Sequence, residues 1–185
     1  MRTAFAGRSP PTDIPTTAVT AGTAQLITEI RQGAMQLAIV EHPAVVDGLD
    51  AGPVVTLPRS VILPVGHRAA DAGSPRIQML EGLALATTPR QDNPPGHDLL
   101  MDTLRRRGLD PPLRTAATHR DVTAAVASGE CFGLATTAAP VHTGTVHRRM
   151  LVDEVALRVR IVTAPGLDLA DLRYVVDREL LRAGR

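Results

Sequence analysis

Short apolar runs alternate with segments of helical period along most of this chain, and that alternation constrains the fold more than any other feature. Residues 23–33 (TAQLITEIRQG) put Leu26, Ile27 and Ile30 on one helical face, with Thr23 placed to cap the start and Gly33 to supply a left-handed stop. MQLAIVE, residues 35–41, follows at once as a nearly continuous apolar strand, the kind buried on both faces of an α/β protein. VVTL and SVILPVG, split by Pro58, read as two further strands, and ALATT (84–88) as another. HDLLMDTLRRR (97–107) is helical, with Leu100 and Leu104 stacked, arginines at its negative end and Gly108 to stop it. THRDVTAAVASG (118–129) opens on Thr118 and Asp121 at capping-box spacing, and FGLATT (132–137) follows as a strand. In VALRVRIV (155–162) the apolar residues alternate with exposed types, which predicts a half-solvated strand. Residues 168–183 close the chain as an amphipathic helix with Leu169, Leu172, Val176 and Leu180 on one face. Strands alternating with helices predict an α/β fold with a largely parallel sheet.

Composition removes several function classes. The 185 residues suffice for one full-sized domain or two small lobes. Twenty basic residues against nineteen acidic ones leave a formal charge of +1, which gives no general pull toward nucleic acid or an anionic membrane. No apolar run approaches the ~18 residues of a membrane span, and the opening MRTAFAGRSPPTD lacks the apolar core of a secretory signal, so a cytoplasmic protein is expected. All the basic residues are arginine; the absence of lysine excludes Schiff-base chemistry and a phosphate-loop lysine. Two Phe, one Tyr and no Trp make a base-stacking platform for single strands untenable. A lone cysteine, Cys131, rules out an internal disulfide and a multi-cysteine metal site, and the six histidines have no metal-ligand spacing. Neither a nucleophile-elbow, nor a phosphate-loop, nor a dinucleotide motif occurs, so neither metal nor cofactor is expected.

Four strings, in this order, resemble the effector-binding (substrate-binding) domain of LysR-type transcriptional regulators: AGTAQLITEIRQGAMQLAIVEHP, VVTLPRSVILPVGHRAA, LMDTLRRRGLDPPLR and VTAAVASGECFGLATTAAP. The likeness spans residues 20–185. It implies a two-lobed fold like the type 2 periplasmic binding proteins, with mixed, mostly parallel sheets and a small molecule held in the cleft between lobes. Residues 1–58 and 142–185 would form lobe I and 59–141 lobe II, with two chain crossings as the hinge. The family's winged helix-turn-helix does not precede these residues, and HRAA, Gln36 and GECFG depart from the family strings. The resemblance further implies side-by-side pairing, hence a homodimer, or pairing with a full-length regulator, and no direct contact with nucleic acid or membrane.

Candidate site residues follow from that frame. Thr23 stands where the family places a ligand-contacting hydroxyl, and a helix N-terminus there offers free N–H groups to an anion; it also serves simply as a cap. Thr87 and Thr88 end a strand, as do Thr136 and Thr137, and strand ends at a crevice bind ligands in open α/β sheets. Arg90 is placed to clamp a carboxylate or to lie in solvent. Glu41 and His42 end the strand MQLAIV, where Glu41 suits an amine on the ligand or a surface ion pair. The ligand expected is an organic acid or an amino-acid-like metabolite. The alternative is an enzyme on the same scaffold, doing dehydration, cyclisation or isomerisation with Glu41, His42, His119 and Cys131 as candidate catalytic groups. Against the last of these, Cys131 also reads as a buried, inert thiol.

Overall fold

The computed structural model describes residues 17–136, 139, 141–150, 155–167 and 169–184. The helix α1 (Thr23–Arg31) leads directly into strand β1 (Leu37–Glu41), and Leu26, Ile27 and Ile30 bury against Ala38, Val40 and Val162, as their spacing predicts. Beyond β1 come the short strands β2 (Asp50–Ala51) and β3 (Val55–Leu57). All three pair antiparallel with β9 (Leu157–Thr163): β1 on one edge, β2 and β3 in succession on the other. Arg160 donates from Nε and Nη2 to the Gly52 carbonyl at 3.1 and 2.9 Å, stitching the break between β2 and β3.

Pro58 turns the chain into a second sheet. This sheet contains β4 (Arg59–Pro64), β5 (Ala84–Thr87), β6 (Leu113–Thr115), β7 (Cys131–Thr136) and β8 (Thr145–Arg149), in the order β6-β5-β7-β4-β8. It is covered on both faces. Val61, Leu63 and Phe132 pack with Leu80 and with Met101 and Leu104 of α2 (Pro94–Arg106), while Ile62 and Ala135 pack with Val122 and Val126 of α3 (His119–Ala127). The Thr118–Asp121 capping box is formed, with Thr118 Oγ1 accepting from the Asp121 amide at 3.2 Å and Asp121 Oδ2 accepting from the Thr118 amide at 3.0 Å. The closing helix α4 (Ala170–Ala183) buries none of its residues fully; Leu180 rests on Val55, Leu57 and Val159.

Two expectations need correction. The sheets are mixed but not mostly parallel: among the described residues five ladders are antiparallel and two, β5–β6 and β5–β7, are parallel. Parallel neighbours need a crossover, and only α2 and α3 supply one. The strands β4 and β9, by contrast, carry the chain between sheets and run against their neighbours. The division at residue 142 also differs, because β8 pairs with β4 from Ser60↔Arg149 to Pro64↔Thr145 and so lies in the second sheet. Its polar sequence, TVHRR, is tolerated because β8 is an edge strand that needs burial on one side only.

Candidate functional site

The strand β1 ends where β4 begins, and at that junction the two sheets enclose a cavity of about 260 Å3. From the first sheet comes Glu41. The second contributes Arg59 at the start of β4, Thr87 and Thr88 at the end of β5, and the N-terminal turns of α2 (Asn93, Gly96, His97) and α3 (His119). Leu85, Leu100, Val122 and Leu134 supply apolar wall. A smaller recess of about 40 Å3 continues from it past His42 and Leu99 to Leu157 and Arg158.

Arg59 is the residue that sequence reasoning missed. It opens a strand whose other five residues are buried, and its side chain is only 17% exposed. Burial lowers its pKa, and Glu41 pushes back by holding the charged form. A guanidinium stays protonated even so, because its free pKa is so high. Its one ionic partner among the described residues is Glu41, whose Oε1 accepts from Arg59 Nη2 at 3.4 Å, beyond the ~2.7–2.9 Å of a tight charge-assisted bond. The signal available in the sequence was an arginine directly after Pro58, opening an otherwise apolar run.

Asn93 adds a second buried donor. It caps α2, with Oδ1 accepting from the Gly96 amide at 3.5 Å, while its buried Nδ2 has no hydrogen-bond partner among the described residues. Pro94 and Pro95 occupy the first helical positions, where a missing N–H costs nothing. His119, at the first position of α3, has its pKa lowered, first by desolvation and then by the charge of His142.

The remaining candidates are distributed as follows. Thr23 is buried and does not cap α1: the cap is Gly22, and Thr23 Oγ1 instead accepts from the Glu41 amide at 3.1 Å. It therefore fixes the end of β1 against the first turn of α1 and is not among the cavity-lining residues. His42 borders the smaller recess with its Nδ1 buried and unpartnered; desolvation, then Arg160 and Arg158, lower its pKa. Arg90 is engaged elsewhere, donating to both Asp98 oxygens at 2.7 and 2.6 Å from an exposed position, and this bond holds the Asp98 pKa at about 2. That fork leaves Arg90 outside the cavity wall and uses the geometry expected for a ligand carboxylate. Thr136 pairs with Arg59 across β7 and β4 without lining the cavity, and Thr137 lies outside the described residues.

For the catalytic alternative, Cys131 is the clear correction. It is fully buried at the start of β7 among Ile62, Val122 and Val126, away from the cavity, and no substrate there can meet its thiol. Glu41 and His119 remain on the wall of the main cavity, with His42 confined to the recess. Among the described residues no group of three or more His, Cys, Asp or Glu side chains is placed to hold a metal ion, and no helix is long and apolar enough to cross a membrane.

Comparison with known proteins agrees with this architecture. Solved structures with the same fold include OxyR of Corynebacterium glutamicum in a mutant form (TM-score 0.71, 21% identity, covering 88% of this chain and 52% of that one). CbnR, a LysR family transcriptional regulator, matches with a TM-score of 0.70 at 12% identity over 89% of this chain and 57% of its own. The regulatory domain of OxyR2 from Vibrio vulnificus matches with a TM-score of 0.67 at 14% identity over 88% and 77%. The chain thus spans little more than half the length of the first two. No curated protein sequence matches it. The family described as the LysR substrate binding domain matches residues 12–175, and with that extent of agreement the two-lobed α/β chain belongs to the LysR substrate binding domain family.

Proposed function

We propose that the cavity at the Glu41–Arg59 junction is the effector site, taking up a small organic-acid or amino-acid-like metabolite. The observation that carries this reading is the desolvated Arg59 guanidinium on the cavity wall, whose one ionic partner among the described residues is the long 3.4 Å contact with Glu41. Buried polar groups left unsatisfied are costly, so a ligand that supplies acceptors gains affinity from the site itself. Each sheet, with its covering helices, forms one lobe: residues 17–57 together with β9 and α4 on one side, and β4 to β8 on the other. A ligand touching Glu41 and Arg59 together holds the lobes closed, and closure biases whatever partner reads the domain. A second copy of the chain, or a full-length regulator, fills that partner role.

A dye-based thermal-shift screen against carboxylic and amino acids tests the reading. A ligand at about a hundred times its dissociation constant adds roughly 2.7 kcal/mol, which for a domain of this size raises Tm by roughly 5–10 °C. The expected result is a hit recovered chemically unchanged, whose shift disappears in Arg59→Met. A hit that is consumed, or one indifferent to Arg59, overturns the assignment.

A further inference from the structure

The charges on the cavity wall narrow the ligand further, and this step rests on the effector-site reading above. One buried cation and one carboxylate stand 3.4 Å apart, too far for a tight bond and too close for an anion on Arg59 to ignore Glu41. A carboxylate ligand lacking a positive charge would meet Arg59 only by lying beside Glu41, where the like charges repel. A cationic ligand would meet Glu41 only by lying beside Arg59. A dianion fails for the first reason twice over, and an uncharged polyol leaves the desolvated guanidinium with only its long 3.4 Å contact to Glu41 as a charged partner.

We infer that the cavity is built for a zwitterion, an α-amino acid of small aliphatic side chain, inserted between Arg59 and Glu41. Its carboxylate accepts from the Arg59 guanidinium, and its ammonium donates to Glu41. The side chain lies against Leu85, Leu100 and Val122. Volume agrees with this class. The cavity of about 260 Å3 leaves room for an amino acid of the bulk of valine or leucine. Glu41 is also well placed to respond. Its amide is tied to Thr23 on α1, so the ammonium contact reports directly to the first lobe while the carboxylate contact reports to the second.

Calorimetric titration of the purified chain with L-leucine, 4-methylpentanoate, its 2-hydroxy analogue and 3-methylbutylamine separates the terms. L-leucine is expected to bind at least about 10-fold more tightly than the acid, the hydroxy acid or the amine, since losing one charged contact costs roughly 10- to 100-fold. Glu41→Gln removes the repulsion along with the ammonium's partner, so there the acid should match or surpass leucine. Circular dichroism melts confirm that the variant folds. Equal binding of acid and amino acid by the native chain, or an unchanged ratio in Glu41→Gln, overturns the inference. If these four probes give no heat while another metabolite raises Tm through Arg59, the zwitterion assignment falls and the effector site stands. If nothing binds, both fall.

Discussion

Replacing Gly133 with alanine perturbs the contact that sets α3, and with it the His119 end of the cavity. Gly133 lies in the middle of β7, fully buried, beneath α3. A Cβ there would sit 2.7 Å from Val122 Cγ1, 3.4 Å from Val126 Cγ2 and 3.7 Å from Ile62 Cδ1. Gly133 is not among the glycines with positive φ, so alanine meets no backbone strain, and the whole effect comes from the side chains above it. Val122 and Val126 are 4% and 0% exposed, and a branched side chain against a closed helix–sheet seam has few rotamers to retreat into. Overpacking of this kind costs about 1–3 kcal/mol. At 2–4 °C per kcal/mol for a chain of this size, Tm should fall by roughly 2–12 °C. Val122→Ala removes the obstructing methyls at its own cost of about 0.8 kcal/mol per group plus a cavity penalty. In the double variant the two losses should fail to add, with a coupling of about 0.5–3 kcal/mol in the stabilising sense. Urea denaturation of the four proteins, with midpoints and slopes compared, measures this. A Gly133→Ala variant as stable as the native chain, or strictly additive losses, would refute the steric account of how α3 is seated.

Three other expectations follow from the same contacts. Thr118→Ala removes the side-chain half of the α3 capping box and should cost about 1 kcal/mol in urea denaturation, with Thr118→Ser restoring most of it. At Gly22 a Cβ would lie 2.9 Å from both Cβ and Cγ of Asp92, which belongs to the turn Arg90–Asp92 of the other lobe. Gly22→Ala should therefore destabilise by about 1–3 kcal/mol, and Gly22→Ala combined with Asp92→Gly should recover most of the loss; no loss in the single variant, or no recovery in the double, would contradict that contact. His119 and His147 both have folded pKa values below the ordinary 6.5, each chiefly through desolvation and then through neighbouring histidines. The unfolded chain therefore takes up protons first: their contribution is complete above pH 6.5 and is lost as the pH falls from 6.5 through the folded values. Tm measured from pH 8 to pH 5 should drop on the acid side, and His119→Gln with His147→Gln should flatten that drop.

What the sequence disclosed, it disclosed through local period and local capping. The Leu26–Ile27–Ile30 face and the Thr118–Asp121 box both depend on residues three or four apart, and both form. Pro58 marked the passage from β3 to β4 because proline fixes its own dihedral and withholds a donor. Strand direction is a different matter. The residues of β9 read as a half-solvated strand, which Leu157 to Arg160 are, but nothing in VALRVRIV says that every neighbour will run against it. β8 was invisible for the converse reason: TVHRR has neither apolar period nor turn signal, and only the open edge of β4 makes it a strand. In the cavity, strand-end logic located Glu41, Thr87 and Thr88, whose positions follow from where apolar runs stop. Arg59 and Asn93 acquire their significance only from burial that other parts of the chain impose. Arg90, which sequence reading offers as a clamp, finds Asp98 two turns of chain away, a pairing that requires the helix α2 to begin at Pro94 and not at His97.

The most direct test of the effector site is an amide NMR titration of the 15N-labelled chain with the tightest compound from the thermal-shift screen. If the ligand lies between Arg59 and Glu41, the largest shifts should fall on Glu41, Thr87, Thr88, Gly96 and His119, from both lobes at once, and should vanish in Arg59→Met. Shifts confined to one lobe, or centred on α4 and the outer faces of the sheets, would contradict the site and the closure it is proposed to drive.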